Sequence, residues 1–184
     1  MKKIVIIMGS TRKQSFNAVV ANAVAEALKG KAEVEFLDFQ DVPFVNQDIE
    51  FPAPAPVARI REVVAAADGI WVVTPEYNYS YPGYVKNVLD WLSRPLIAGD
   101  PERISTLTGK KSTASSIAGG DAGAAVLEKL NELLAFIGTD VLKTDQAGLM
   151  IPGESWVTNE LTLSDEDLAK VNTQVERFLE FIEN

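Results

Sequence analysis

The chain has 184 residues, 47% of them hydrophobic, and a formal net charge of -9, with neither histidine nor cysteine. That length fits one globular domain, residues 1 to 184, burying about 70% of the surface its unfolded chain exposes; the acidity argues against a nucleic-acid binder, whose affinity rests on clustered Lys and Arg. Without those two residue types there are no disulfides, thiolate nucleophiles, Ser-His-Asp or Cys-His catalysis, or His- and Cys-ligated metal, so an enzyme built on this chain borrows its chemistry from a cofactor.

In chain order, KKIVIIM at residues 2 to 8 is a short apolar run ending at a Gly-Ser turn signal, which predicts a buried parallel strand. Val20, Val24, Ala27 and Leu28 recur on one helical face, and Gly30 ends that helix. EVEFLDF at 33 to 39 alternates polar and apolar residues, the pattern of a strand near the sheet edge. Pro43, Pro52, Pro54 and Pro56 mark a loop, followed by a helix over 57 to 67 and the strongly apolar strand GIWVVT at 69 to 74. Val85, Val88, Leu89 and Leu92 predict the next helix, STASSIA at 112 to 118 a fourth strand, and Leu127, Leu130, Leu134 and Ile137 a further helix. A fifth strand falls within 140 to 151, where LKTDQAG interrupts the pattern. Ser164 and Asp167 form a capping-box signature, and Leu168, Val171, Val175, Phe178, Leu179 and Ile182 line one face of the final helix. Five strands alternating with helices imply an α/β parallel sheet covered on both faces. The absence of a leader-like start and of an apolar run long enough to span a bilayer predicts a cytoplasmic protein with no membrane partner.

Ligands of open α/β sheets bind beyond the carboxyl ends of the strands, where strand order reverses. Three loops qualify in the order 2-1-3-4-5: GSTRKQSFN after strand one, PEYNYSYPG after strand three and IAGGDAG after strand four. The first combines Gly9, the hydroxyls of Ser10, Thr11 and Ser15, the cation Arg12, and Asn17 at a helix start, which makes an anion cup; ordinary N-capping by Ser15 or Asn17 is the simpler reading. Residues 1 to 31 hold six basic side chains against Glu26 alone, although solvated helix ends account for most of them. All four tyrosines lie in PEYNYSYPGY, residues 75 to 84, as a rigid aromatic turn suited to a flat ligand, a subunit contact, or both.

These two loops resemble the NADPH-dependent FMN reductase family, flavodoxin-like proteins that include quinone, azo-dye and chromate reductases. The motif G-S-x-R-x-x-S-x-N is matched by Gly9, Ser10, Arg12, Ser15 and Asn17, and P-E-Y-N-x-S-x-P-G-x-x-K-N-x-x-D-W by residues 75 to 91. The resemblance implies a flavodoxin-like three-layer sandwich in which Ser10, Arg12, Ser15, Phe16 and Asn17 hold the FMN phosphate. It implies that Pro75, Glu76, Tyr77, Asn78, Tyr79 and Ser80 edge the isoalloxazine ring, and that Ser116, Gly119 and Gly120 contact it after strand four. There the chain departs from the family's two Gly-Gly pairs, having Ala124 after Gly123. The implied reaction is hydride transfer from NADPH or NADH through FMN to a quinone, azo compound, free flavin or oxidised metal anion, in ping-pong fashion, with no side chain as obligatory acid or base and no metal. The resemblance favours a homodimer or dimer of dimers, with Tyr77 and Tyr79 nearer the flavin and Tyr81 or Tyr84 nearer a partner chain. Asp90 and Trp91 read as helix packing and capping residues, and Lys86 as structural or interfacial. The rival is a flavodoxin-type FMN electron carrier passing single electrons between proteins.

Overall fold

Strand β1 (Lys2–Met8) explains the layering: Ile4 and Ile6 point into one core, Val5 and Ile7 into another, and all four are fully buried. The computed structural model describes residues 1–184. After β1 come α1 (Phe16–Leu28), β2 (Ala32–Phe36), α2 (Ala55–Ala65), β3 (Gly69–Val73), α3 (Gly83–Leu92), β4 (Lys111–Ala118), α4 (Ala124–Phe136), β5 (Asp140–Val141), β6 (Gly148–Met150), α5 (Ser155–Thr158) and α6 (Asp165–Glu183). The sheet is parallel and runs β2-β1-β3-β4-β5, with β6 also paired to β4. Helices α2, α3 and α4 cover the face with Val5, Ile7, Ile70 and Val72, while α1 and α6 cover Ile4, Ile6, Trp71 and Val73. The alternation of strands and helices predicts such a parallel sheet covered on both faces, and the flavodoxin-like three-layer arrangement is the one the family resemblance implies.

β2 lies at the sheet edge, as its alternation predicts, and leaves Phe36 part-exposed. α2 begins earlier than expected, with Pro56 inside it. A proline is tolerated there because first-turn N–H groups have no intrahelical partner. The capping box of α6 is formed by Ser164 and Asp167.

The fifth strand is two fragments on one edge of β4. β5 pairs with Lys111 and Ser112, and β6 pairs with Ser116 to Ala118. Between them, Gln174 of α6 replaces the missing ladder. Its fully buried amide oxygen accepts from the Ala147 N–H at 2.7 Å and the Ser115 hydroxyl at 2.8 Å; its NH₂ donates to the Ala114 carbonyl at 2.8 Å and to Thr113 Oγ1 at 2.9 Å. Ser115 also accepts from the Trp71 indole N–H at 2.9 Å, so no polar atom of this buried group is left unpaired.

Candidate functional site

The loop between β1 and α1 is drawn tightly against β3. The Gly9 N–H donates to the Val73 carbonyl at 2.7 Å. A Cβ on Gly9 would stand 2.5 Å from Val85 Cγ2 and 2.6 Å from Thr74 Oγ1. Glycine is therefore required there by the close approach of neighbouring side chains.

Ser15 occupies the N-cap position of α1, yet its side chain makes no capping bond. The N–H groups of Phe16 and Asn17 have no protein acceptor, since the first amide to close back is that of Ala18, onto the Ser15 carbonyl. Asn17 is no cap either: its amide exchanges two 3.2 Å bonds with the backbone of Ile117 and clamps α1 to β4. The simpler capping reading is therefore set aside, and α1 presents free donors and the positive end of its dipole beside the buried hydroxyls of Ser10 and Ser15. The Arg12 guanidinium lies over the Phe16 ring, 4.6 Å from its centroid, and donates to Asn159 Oδ1 at 2.5 Å. Thr11 stays exposed and lines neither site cavity.

The tyrosine loop is a two-residue hairpin. Tyr77 and Ser80 exchange backbone bonds of 2.8 and 3.1 Å around Asn78 and Tyr79, whose φ values are 52° and 59°. Paired positive φ values match the mirror-image turn favoured in hairpins. Asparagine adopts that region readily, but tyrosine does so at a cost of about 1–2 kcal/mol. The turn holds Tyr77 and Tyr79 out as exposed aromatic faces. Glu76, at its base, reaches across to α4, where its Oε2 accepts from the Val126 N–H at 3.0 Å.

Two abutting cavities, about 260 and 430 Å³, share Glu76, Ala118 and Gly119. The first joins Ser10, Arg12, Ser15, Phe16, Asn17, Pro75 and Tyr77; the second joins Asn78, Tyr79 and Gly120. Ser80 and Ser116 line neither. Ser80 closes the hairpin through its backbone. Ser116 is fully buried on the opposite face of β4, against the space where a Cβ on Gly123 would stand 2.5 Å from its Oγ. Strand parity turns Ile117, the next residue, toward the cavity instead.

Three lining residues were not anticipated from the sequence: Ile117, Ile151 and Trp156. Trp156 packs edge-on against Phe16 at 6.2 Å and passes close to Gly119. Tyr81 and Tyr84 pack against the chain's own core, Tyr84 on the Phe39 ring at 4.5 Å; burial, aided by Asp38, raises the pKa of the Tyr84 hydroxyl. Trp91 donates its indole N–H to the Pro43 carbonyl at 2.7 Å, and Asp90 pairs with Lys86 at 2.6 Å, both packing roles. No group of three or more acidic residues is placed to hold a metal ion.

The first cavity offers unpaired amides, two hydroxyls and a guanidinium, a donor set suited to a phosphate, and beside them the apolar and aromatic surfaces of Tyr77, Ile117, Ile151 and Trp156, suited to a flat ring. These residues fit FMN. Fold and site together define a flavodoxin-like protein with an anion cup at the switch point of its sheet. The sequence matches the NADPH-dependent FMN reductase family model over residues 2–150, and the chain belongs to that family. It is 34% identical to a quinone reductase of Escherichia coli (strain K12) over 98% of this chain and 95% of that protein. A 2-hydroxy-1,4-benzoquinone reductase of Burkholderia sp is 41% identical over 50% of this chain and 51% of its own length. Among solved structures, FerB, a flavoenzyme NAD(P)H:(acceptor) oxidoreductase from Paracoccus denitrificans, superposes with a TM-score of 0.86 at 26% identity, covering 100% of this chain and 98% of that one.

Proposed function

We propose that this chain holds FMN with its phosphate in the α1 cup and its ring beside the Tyr77–Ser80 hairpin, and reduces quinones at the expense of NAD(P)H in a ping-pong cycle. The observation that carries the reading is the uncapped start of α1, open toward a cavity that continues to the aromatic hairpin. Bound FMN supplies the hydride chemistry. The protein's share is to seat the anion, to hold the ring edge against a rigid turn, and to leave one side open for donor and acceptor in succession. Quinones are favoured as acceptors by the names of the two relatives described above.

No helix is long and apolar enough to cross a membrane, and the reading places the protein in the cytoplasm. It includes a homodimer. With Tyr81 and Tyr84 turned inward, the apolar side chains left for such a contact include Leu96, Ile97, Ile104 and Phe136. A fully active monomer in sedimentation at micromolar concentration would remove the dimer from the proposal.

Anaerobic mixing of the yellow holoprotein with NADPH, then with a benzoquinone, tests the activity. Rapid bleaching by the nicotinamide and rapid return of colour with the quinone are expected. Failure to bleach would favour the single-electron carrier instead.

A further inference from the structure

The family model ends at residue 150, but the site does not. Beyond β6 the chain returns over the cup, bringing Ile151 and Trp156 to the cavity wall and Asn159 to Arg12. Arg12 is exposed and pairs with no carboxylate. A long cation in that setting would sample many rotamers, and holding one costs up to about 2 kcal/mol of side-chain entropy. Two contacts restrain it: the Phe16 face beneath, and the Asn159 carbonyl oxygen at 2.5 Å. Asn159 is itself oriented. Its Nδ2 donates to Gln14 Oε1, so the amide oxygen is the atom turned to Arg12. Its backbone, at φ 59°, is the left-handed C-cap of α5. A neutral acceptor uses one of the five guanidinium N–H donors and leaves the positive charge and the remaining donors for an anion, which a carboxylate partner would not do.

We propose that Asn159 is a positioning residue for the cofactor site, preorganising Arg12 so that its free donors face a phosphate monoester in the α1 cup. This rests on the reading that the FMN phosphate sits there. The segment after β6 is therefore a working part of the site, and Asn159 acts on the phosphate end of the ligand only, through Arg12.

Flavin-fluorescence titration of the full-length apoprotein tests this with FMN and riboflavin in parallel. Asn159→Gly is the informative variant, because glycine adopts the same left-handed backbone without strain and only the side chain is lost. It should weaken FMN roughly three- to tenfold, the range of one net hydrogen bond, and leave riboflavin within about twofold. In an Arg12→Ala background the same substitution should change FMN affinity no further, since the residue it positions is gone. Asn159→Asp should weaken FMN more than Asn159→Gly, and the excess should shrink at high salt, because the new charge competes with the phosphate for an exposed cation. Unchanged FMN affinity in Asn159→Gly, with Arg12→Ala still weakening FMN selectively, overturns the positioning role alone. Equal losses for FMN and riboflavin also overturn it, pointing to general loosening of the segment. If Arg12→Ala leaves FMN and riboflavin equally bound, the phosphate reading of the cup fails and this inference fails with it.

Discussion

Two helices begin at the ligand-binding edge of the sheet and treat their first amides in opposite ways. At α4 the chain fills the terminus with its own carboxylates: Asp121 accepts from the N–H groups of Gly123 and Ala125 at 3.0 and 3.1 Å, and Glu76 from that of Val126 at 3.0 Å. At α1 there is no acidic residue in the first turn, no side-chain cap, and a serine hydroxyl turned to the cavity. Both ends carry the same partial positive charge. One is already neutralised and the other is available, so in a protein of net charge -9 the position of a few carboxylates decides where an anion can settle. On the proposed reading the missing cap at α1 is what seats the phosphate, while at α4 the Glu76 bond ties the base of the hairpin to the helix.

Making α1 resemble α4 should have the largest effect. Ser15→Asp places a carboxylate in the proposed phosphate seat; FMN affinity should fall by at least about a hundredfold, as charge-assisted contacts are lost. The apoprotein should gain about 1 kcal/mol from the new cap, read as a higher melting temperature. FMN binding as tight as in the wild type would show that the open terminus is not the anion seat.

Arg12→Ala comes next. It should cost FMN about ten- to a hundredfold and riboflavin little, and equal losses would detach Arg12 from the phosphate.

Opening α4 should be milder and of another kind. Glu76→Ala removes a cap worth about 1 kcal/mol, a drop of roughly 2 to 4 °C in melting temperature. With neither histidine nor cysteine in the chain, quinone turnover should vary little between about pH 6 and 8. A single-proton limb in that window, abolished by Glu76→Gln, would make the glutamate a working acid.

The smallest effect belongs to the opposite pole of the sheet. There the Lys3 N–H, at 2.8 Å, is the main cause holding the Asp68 carboxyl below its usual pKa; burial opposes it and Lys2 assists. A depressed carboxylate stabilises the fold above its unfolded pKa and loses that contribution as pH falls through the folded one. The melting temperatures of wild type and Asp68→Asn should therefore differ most above about pH 5 and converge below about pH 4. A gap that widens in acid would contradict the assignment.

Strand and helix periodicity made most of this architecture legible in the sequence, because buried β1 and β3 are apolar on both faces and the helices keep clear stripes. The weak signal after Thr139 had a physical cause. Two- and three-residue strands carry too little pattern, and the group that bridges them, Gln174, is remote in the chain. The side to which Ser116 turns is illegible for a related reason: in STASSIA the small residues are all buried, so composition does not tell which side of the strand faces the cavity. Trp156 and Asn159 follow a stretch without periodicity and beyond the motifs, and only the fold brings them to Arg12 and Phe16. The exposed aromatic pair was legible in part, since a two-residue turn presents Tyr77 and Tyr79 and sends Tyr81 and Tyr84 back to the core.

The Gln174 amide also sets an order of events during synthesis. The edge of β4 between Ser112 and Ser116 has no strand to pair with, and its carbonyl at Ala114 and the N–H of Ala147 wait for a side chain made 27 residues after Ala147. A nascent chain that has emerged only as far as β6 therefore carries an incomplete sheet margin, open to pairing with other chains. Docking of α6 closes that margin, so the helix farthest in sequence from the cup is the one that completes this side of the sheet.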